Sequence, residues 1–452
     1  MATIGTWLRI LALGLLVGAR PASALQEYDG RAPSGAWYHL VAPDGWRAGD
    51  ALVLYQHGLD FSVADSPPGL GPLKSLMLSE GYAIAATSYR QRGWAMFTAI
   101  ADNHELLALF EDRIGKPGEV IPFGGSLGGL VALKLAEEPG LPPVKGAYAL
   151  CPAAAGARIW DTAIDVRLAY DVVCGSAGNQ RLPTGAPPLS WALDARDIPD
   201  NLGDLTDQAR LLQVLVPLNR CTGVNLPPLL RNDAMKQRLA RLMAFAGITD
   251  EDFFVTNVGY AVYVMSDLVR SPDKLGGRNP FTTTGVDYGS DAAVAAGILR
   301  IAADPTARAA LHRASDFHGD VGAAKILSMH TRRDQLVIPS NQEFLRKTLP
   351  ANRLTSAIVD EDAPTHCGFT EAEGVAGWEA LRAWKDGAPQ PDVVALQESC
   401  EALAASGEVA GPCRFDADAQ IAPFDSLVRP RTLAPLRVQG HSRHATAWPA
   451  AR

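Results

Sequence analysis

The 452-residue chain lacks an excess of positive charge: 41 lysines and arginines stand against 49 aspartates and glutamates, for a formal net charge of −8. A surface of that sign repels phosphate backbones, so no nucleic-acid partner is expected. Beyond its first residues the chain also lacks any apolar run long enough to cross a bilayer, and no integral membrane contact is expected. It has no internal repeat, no H-E-x-x-H zinc helix and no phosphate-binding glycine loop, so no motif calls for a metal or an organic cofactor. Cysteines are few; the six present allow many pairings, and spacing alone leaves the connectivity open.

Apolar residues make up 47% of the chain and charged residues 20%, enough for a buried core. The length suits one large α/β domain with an insertion, or two domains. Residues 1–24 place Arg9 ahead of an apolar stretch at 10–17, with Ala22 and Ala24 suitably small for cleavage. This reads as a secretory signal, because the stretch is too short for a membrane helix; an uncleaved anchor is the alternative. A secreted or periplasmic protein follows, in which disulfides can form. Cleavage after residue 24 removes two arginines and no acid, leaving about −10.

Short apolar runs, "ALVLYQHG", "GYAIAATSYRQRG", "EVIPFGGS", "VKGAYALCP", "AAKILSMHT" and "LTSAIVDED", alternate with helical patterns. The alternation predicts a mostly parallel sheet flanked by helices, with strands near 52–56, 82–87, 119–123, 145–150, 325–329 and 354–359. It stops at 153–320, where helical patterns such as "RNDAMKQRLARLMAFAG" are separated by proline-rich loops such as "RLPTGAPPLS". That segment reads as a mainly helical cap between two parts of one core, 25–152 and 321–390. Residues 391–452 form a C-terminal extension whose end is expected to be disordered.

In "VIPFGGSLGGLVALKLAEE", Ser126 lies between Gly124 and Gly128, after an apolar strand and before a helical pattern. Glycines at both second neighbours let a strand turn sharply into a helix and expose the intervening side chain. The stretch resembles the nucleophile elbow of the α/β-hydrolase superfamily, and the resemblance covers about 50–152 and 321–388. It implies an α/β-hydrolase fold with the helical cap inserted after the strand that follows the nucleophile. More distant resemblances are to prolyl oligopeptidase-type and tannase or feruloyl esterase-type enzymes.

In that superfamily the nucleophile precedes the acid, and the acid precedes the histidine, so both partners of Ser126 are expected beyond the cap. "ILSMHTRRDQLVIP" offers Asp334 as the acid, with Asp360 and Asp362 as rivals and a solvated loop carboxylate as the plain alternative. "DEDAPTHCGF" offers His366 as the base. The backbone N–H groups of Leu127 and Leu59 are the expected oxyanion donors, with Asp60 as the neighbour of Leu59 and His57 as a brace. Fold analogy suggests a Cys151–Cys367 disulfide beside the base; Cys174–Cys221 would staple the cap, and Cys400–Cys413 would close a short loop. Some tannase and feruloyl esterase relatives use a cysteine beside the serine for this purpose, where this chain has Gly125.

Arg90, Trp94, Trp160 and Arg167 are candidate substrate contacts, with Arg167 suited to an acidic end. For the helix carrying Trp160 and Arg167, ordinary helix packing and charge pairing is the competing explanation. The implied activity is hydrolysis of a small or medium carboxylic ester through a Ser–His–Asp triad and an acyl-enzyme. A serine peptidase with the same triad and a non-catalytic binding protein on the same scaffold are the alternatives.

Overall fold

The computed structural model describes residues 25–175, 205–289 and 291–431, with the side chains of 205–211 excluded. The expected signal at 1–24, the loop at 181–190 and the end of the C-terminal extension lie outside the described residues. Eight strands form one sheet: β1 (Gln26–Arg31), β2 (Trp37–Ala42), β3 (Ala51–Gln56), β4 (Ala83–Thr87), β5 (Glu119–Gly125), β6 (Gly146–Leu150), β7 (Lys325–Thr331) and β8 (Leu354–Val359). Their order is β1-β2-β4-β3-β5-β6-β7-β8, parallel from β4 to β8. The six strands expected from apolar runs are all present. The antiparallel β1–β2 pair, which joins the sheet along β4, is an addition to them.

Helices α1 (Lys74–Ser79), α2 (Ala99–Arg113) and α3 (Leu127–Ala136) belong to the first part of the core. The insertion after β6 carries α4 (Trp160–Gly175), α5 (Leu205–Thr222), α6 (Asp233–Ala246), α7 (Glu251–Gly259), α8 (Met265–Arg270), α9 (Ala292–Gly297) and α10 (Pro305–Ser315). The chain then returns to the core through α11 (Ser340–Thr348) and α12 (Glu371–Lys385), and ends in α13 (Val393–Ser406) and α14 (Phe424–Leu427).

Alternation along the strands explains the layers. Leu52, Leu54, Ala83, Ala85 and Val120 face one core with α2, α3 and the cap, while Val53, Ile84, Ala86, Ile121 and Phe123 face a second with α1, α12 and α13. Burial on both faces makes these strands near-continuous apolar runs. The extension beyond 391 is tied to this second core by α13, whose Leu396 and Cys400 are buried, and by a bridge from Phe415 to Val359. All six cysteines are paired, as Cys151–Cys367, Cys174–Cys221 and Cys400–Cys413, with Cα separations of 5.6, 5.6 and 5.8 Å. Among the described residues, no helix is long and apolar enough to cross a membrane.

β4 lies on one side of β3 and β5 on the other, so the chain reverses its direction of travel across the sheet between β3 and β5. The carboxyl ends of two such strands leave a crevice that open parallel sheets use for ligands. Gln56 and Gly124 are paired there.

Candidate active site

Ser126 stands between β5 and α3 with φ 58° and ψ −124°, a conformation that costs a non-glycine residue energy and is held by its surroundings. Its N–H donates to the Leu150 carbonyl at 2.9 Å, and its own carbonyl accepts from Leu130 and Ala153 at 3.2 and 3.3 Å. The flanking glycines are required by close approach: a Cβ at Gly124 would meet the Gln56 carbonyl oxygen at 2.5 Å, and one at Gly128 would meet it at 2.1 Å. Strand, turn and helix can pack against the end of β3 only without those side chains.

The loops after β7 and β8 bring Asp334 and His366 to this turn. His366 Nδ1–H donates to Asp334 Oδ2 at 2.6 Å, which leaves Nε2 to accept from Ser126 Oγ at 2.8 Å. The other Asp334 oxygen, Oδ1, accepts from the backbone N–H groups of Leu336 and Val337 at 2.9 and 3.1 Å. Burial pushes the Asp334 carboxyl up, but hydrogen bonds from His330 and His366 outweigh it and hold the group below the ordinary aspartate range. The rival carboxylates are elsewhere: Asp360 faces Arg332 and Arg333 at 3.3 and 3.6 Å, and Asp362 is exposed.

The loop after β3 lies against the serine, with an added Cβ at Gly58 falling 3.7 Å from Ser126 Cβ. His57 is stacked on Tyr89 with ring centroids 4.3 Å apart, and its Nδ1–H donates to the Gly58 carbonyl at 2.7 Å. Burial lowers the His57 pKa, which keeps the ring neutral. Tyr89 donates to Gln56 at 3.2 Å, and Gln56 exchanges amide hydrogen bonds with Asn103 of α2 at 2.7 and 2.8 Å. A buried polar network therefore fixes the segment that carries Leu59. Gly93 adds a 2.6 Å bond from its N–H to the Asp60 carbonyl.

Ser126, Leu59 and Leu127 open onto a mainly apolar pocket walled by Trp94, Ala153, Ile159, Trp160, Ala163, Asn257, Tyr260, Leu336 and Val337. Trp94 and Trp160 meet edge to face at 5.3 Å, and Trp94 Nε1–H donates to Ser315 Oγ at 2.9 Å. Of the four candidate contacts, the two tryptophans line the pocket. The two arginines do not: Arg90 is paired with Asp102 at 2.5 Å, and Arg167, 2% exposed inside the cap, donates to the Ala261 carbonyl at 3.2 Å.

Sequence reasoning passed over His330, which precedes the acid loop. It is fully buried at the end of β7, where Nε2–H donates to the Val337 carbonyl at 2.6 Å and lies 3.5 Å from Asp334 Oδ2. A histidine four residues before the acid, at a strand end, was the available signal. The cap contribution was also missed. Asn257 of α7 donates to the Gln335 carbonyl at 3.0 Å, and Gln335 Oε1 accepts from Thr249 and Asp250, which ties the cap to the acid loop. Tyr260 opens a π-helical turn, Tyr260–Val264, and burial together with the field of Asp334 pushes its pKa up to about 12.

Cys151, His366 and Cys367 form a cluster of the size that holds a metal ion, but the two sulfurs are joined in a disulfide and offer no thiolate.

No protein-family model matches the chain. A stretch of 118 residues is 32% identical to the "o-phthalyl amidase" of Xanthobacter agilis, and the match spans 25% of each chain. Among solved structures, feruloyl esterase B from Aspergillus oryzae is similar over 81% of this chain and 82% of its own, with 13% identity and a TM-score of 0.40. A putative hydrolase from Legionella pneumophila is similar over 85% and 89%, with 14% identity and a TM-score of 0.37. The esterase LipA from Xanthomonas oryzae is similar over 80% and 87%, with 11% identity and a TM-score of 0.35. With its sharp strand-to-helix turn after β5 and its helical insertion after β6, the chain has the α/β-hydrolase fold with a cap.

Proposed function

We propose that the protein is an exported serine hydrolase that cleaves a carboxylic ester through an acyl-enzyme on Ser126. The observation that carries this reading is the hydrogen-bonded line from Ser126 Oγ through His366 to the buried Asp334. As Ser126 Oγ bonds to the substrate carbonyl carbon, its proton passes to His366 Nε2, and Asp334 stabilises the imidazolium. The carbonyl oxygen becomes an oxyanion that accepts from the N–H groups of Leu59 and Leu127, the latter at the positive end of α3. His366 then gives its proton to the leaving alcohol as the C–O bond breaks. Water repeats the sequence on the acyl-enzyme, releasing the acid and restoring Ser126. Export is supported by the leader-like residues 1–24 and by the pairing of all six cysteines.

A second reading, hydrolysis of an amide bond by the same groups, is favoured by the 118-residue match to an amidase. Purified protein given p-nitrophenyl acetate and the matching anilide tests both. The ester reading expects release of p-nitrophenol that falls by at least about 10⁴-fold in Ser126→Ala. Faster cleavage of the anilide would favour the second reading, and equal rates in wild type and Ser126→Ala would overturn both.

A further inference from the structure

We infer that the pocket beside Ser126 is an acyl-binding site selective for short, uncharged acyl groups, an inference that rests on the serine hydrolase reading above. The leaving group must face His366 Nε2 to receive its proton, and His366 is not among the residues that wall the pocket. Leu59 and Leu127 are, so the pocket extends from the oxyanion side of Ser126 and takes the part of the substrate that stays on the enzyme.

The pocket is open on one side and offers about 50 Å³. A cavity of about 150 Å³ is known to hold benzene, so a space about a third of that size suits an acetyl or propionyl group better than a ring or a six-carbon chain. Two of its lining residues are firmly packed: Trp94 and Trp160 are 2% and 3% exposed, they meet edge to face, and Trp94 is held by Ser315. An acyl chain that lengthens towards these rings has to move one of them against close packing.

None of the described residues lining the pocket is charged, and its polar members are Ser126, Asn257 and the groups of Tyr260 and the tryptophans. Asn257 already spends its amide N–H groups on Phe253 and Gln335. Arg90 is held by Asp102, and Arg167 is enclosed in the cap, so neither guanidinium reaches an acyl carboxylate. An anionic acyl tail would be stripped of water with no counter-charge.

The test is a p-nitrophenyl ester series in which only the acyl part changes: acetate, propanoate, butanoate, hexanoate, octanoate and the hydrogen succinate. The wild type is expected to favour acetate or propanoate in kcat/KM by at least about 100-fold over hexanoate, and butanoate by at least about tenfold over hydrogen succinate. Trp160→Ala, and the milder Ile159→Ala if the first does not fold, are expected to raise the hexanoate-to-acetate ratio by about tenfold or more. Hexanoate or octanoate turned over within threefold of acetate by the wild type overturns the inference, as does an unchanged ratio in a folded variant. Fluorophosphonate labelling of the same preparation separates the two levels. A labelled Ser126 with a flat profile overturns the pocket assignment alone, and a labelled Ser126 with no turnover of the series overturns both the pocket assignment and the ester reading while leaving an activated serine. An unlabelled Ser126 removes the serine hydrolase reading, and this one with it.

Discussion

Cys151 and Cys367, 216 residues apart in the chain, are bonded with their Cα atoms 5.6 Å apart, and both hold left-handed backbone with φ of 37° and 56°. One follows β6 directly and the other follows His366, so the bond joins the loop bearing the proposed base to the carboxyl end of β6, whose Leu150 carbonyl accepts from Ser126. Replacing both cysteines by alanine is expected to lower stability by about 2–4 kcal/mol. It should also reduce kcat with little change in KM, because the freed loop still binds substrate but positions His366 less well. Denaturant unfolding and steady-state kinetics check the two effects.

Asp334 gives the pH dependence. Its carboxyl is held below the ordinary value, so its contribution to stability is complete above the unfolded pKa of about 3.9 and is lost as pH falls through the lower folded value. Denaturation of wild type and Asp334→Asn between pH 3 and pH 7 is expected to show a stability gap that narrows towards pH 3. At pH 7 the variant should lose about 10⁴-fold in kcat, since an amide favours the wrong imidazole tautomer.

A buried ion pair links the cap towards the loop after β3 that carries the proposed oxyanion donor Leu59. Lys274 and Asp267, each 1% exposed, are paired under the loop after β4, and Lys274 Nζ also donates to the Arg92 carbonyl at 2.6 Å. The next residue, Gly93, bonds to Asp60 beside the proposed donor Leu59. Lys274→Met is expected to cost about 3 kcal/mol by leaving Asp267 short of its main counter-charge. It should also lower kcat by about tenfold or more through a displaced Leu59 N–H. A variant with full kcat would separate this pair from the site.

The C-terminal segment fastens the cap from outside. Arg431, its side chain 4% exposed, lies 3.1 Å from Asp161 and 3.0 Å from Asp165 on α4, while Arg429 stacks on Phe245 and donates to that residue's carbonyl. Burial pushes the Asp165 carboxyl up, and Arg431 opposes that push. Arg431→Met is expected to lower stability by about 3 kcal/mol, read as a lower unfolding midpoint in denaturant.

Much of this was legible in the sequence because it was local. The six parallel strands show as apolar runs since both faces are buried, and the turn at Ser126 shows because contact with the end of β3 admits only glycine at 124 and 128. β1 was not legible: "QEYDGR" is largely exposed, and its pairing with Trp37–Ala42 gives it the order its composition does not announce. The roles of His330, Asn257 and Arg431 depend on contacts between segments distant in the chain or folded back by a loop, and no spacing rule encodes them. Arg90 and Arg167 were readable as charges near the site, but their partners Asp102 and Ala261 come from packing.

The most direct test of the central claim is fluorophosphonate labelling of the purified, folded protein followed by peptide mapping, on wild type and Ser126→Ala. Activation of Ser126 by His366 and Asp334 predicts one labelled site at Ser126, absent in the variant. A folded wild type that takes no label, or takes it equally in Ser126→Ala, would contradict it.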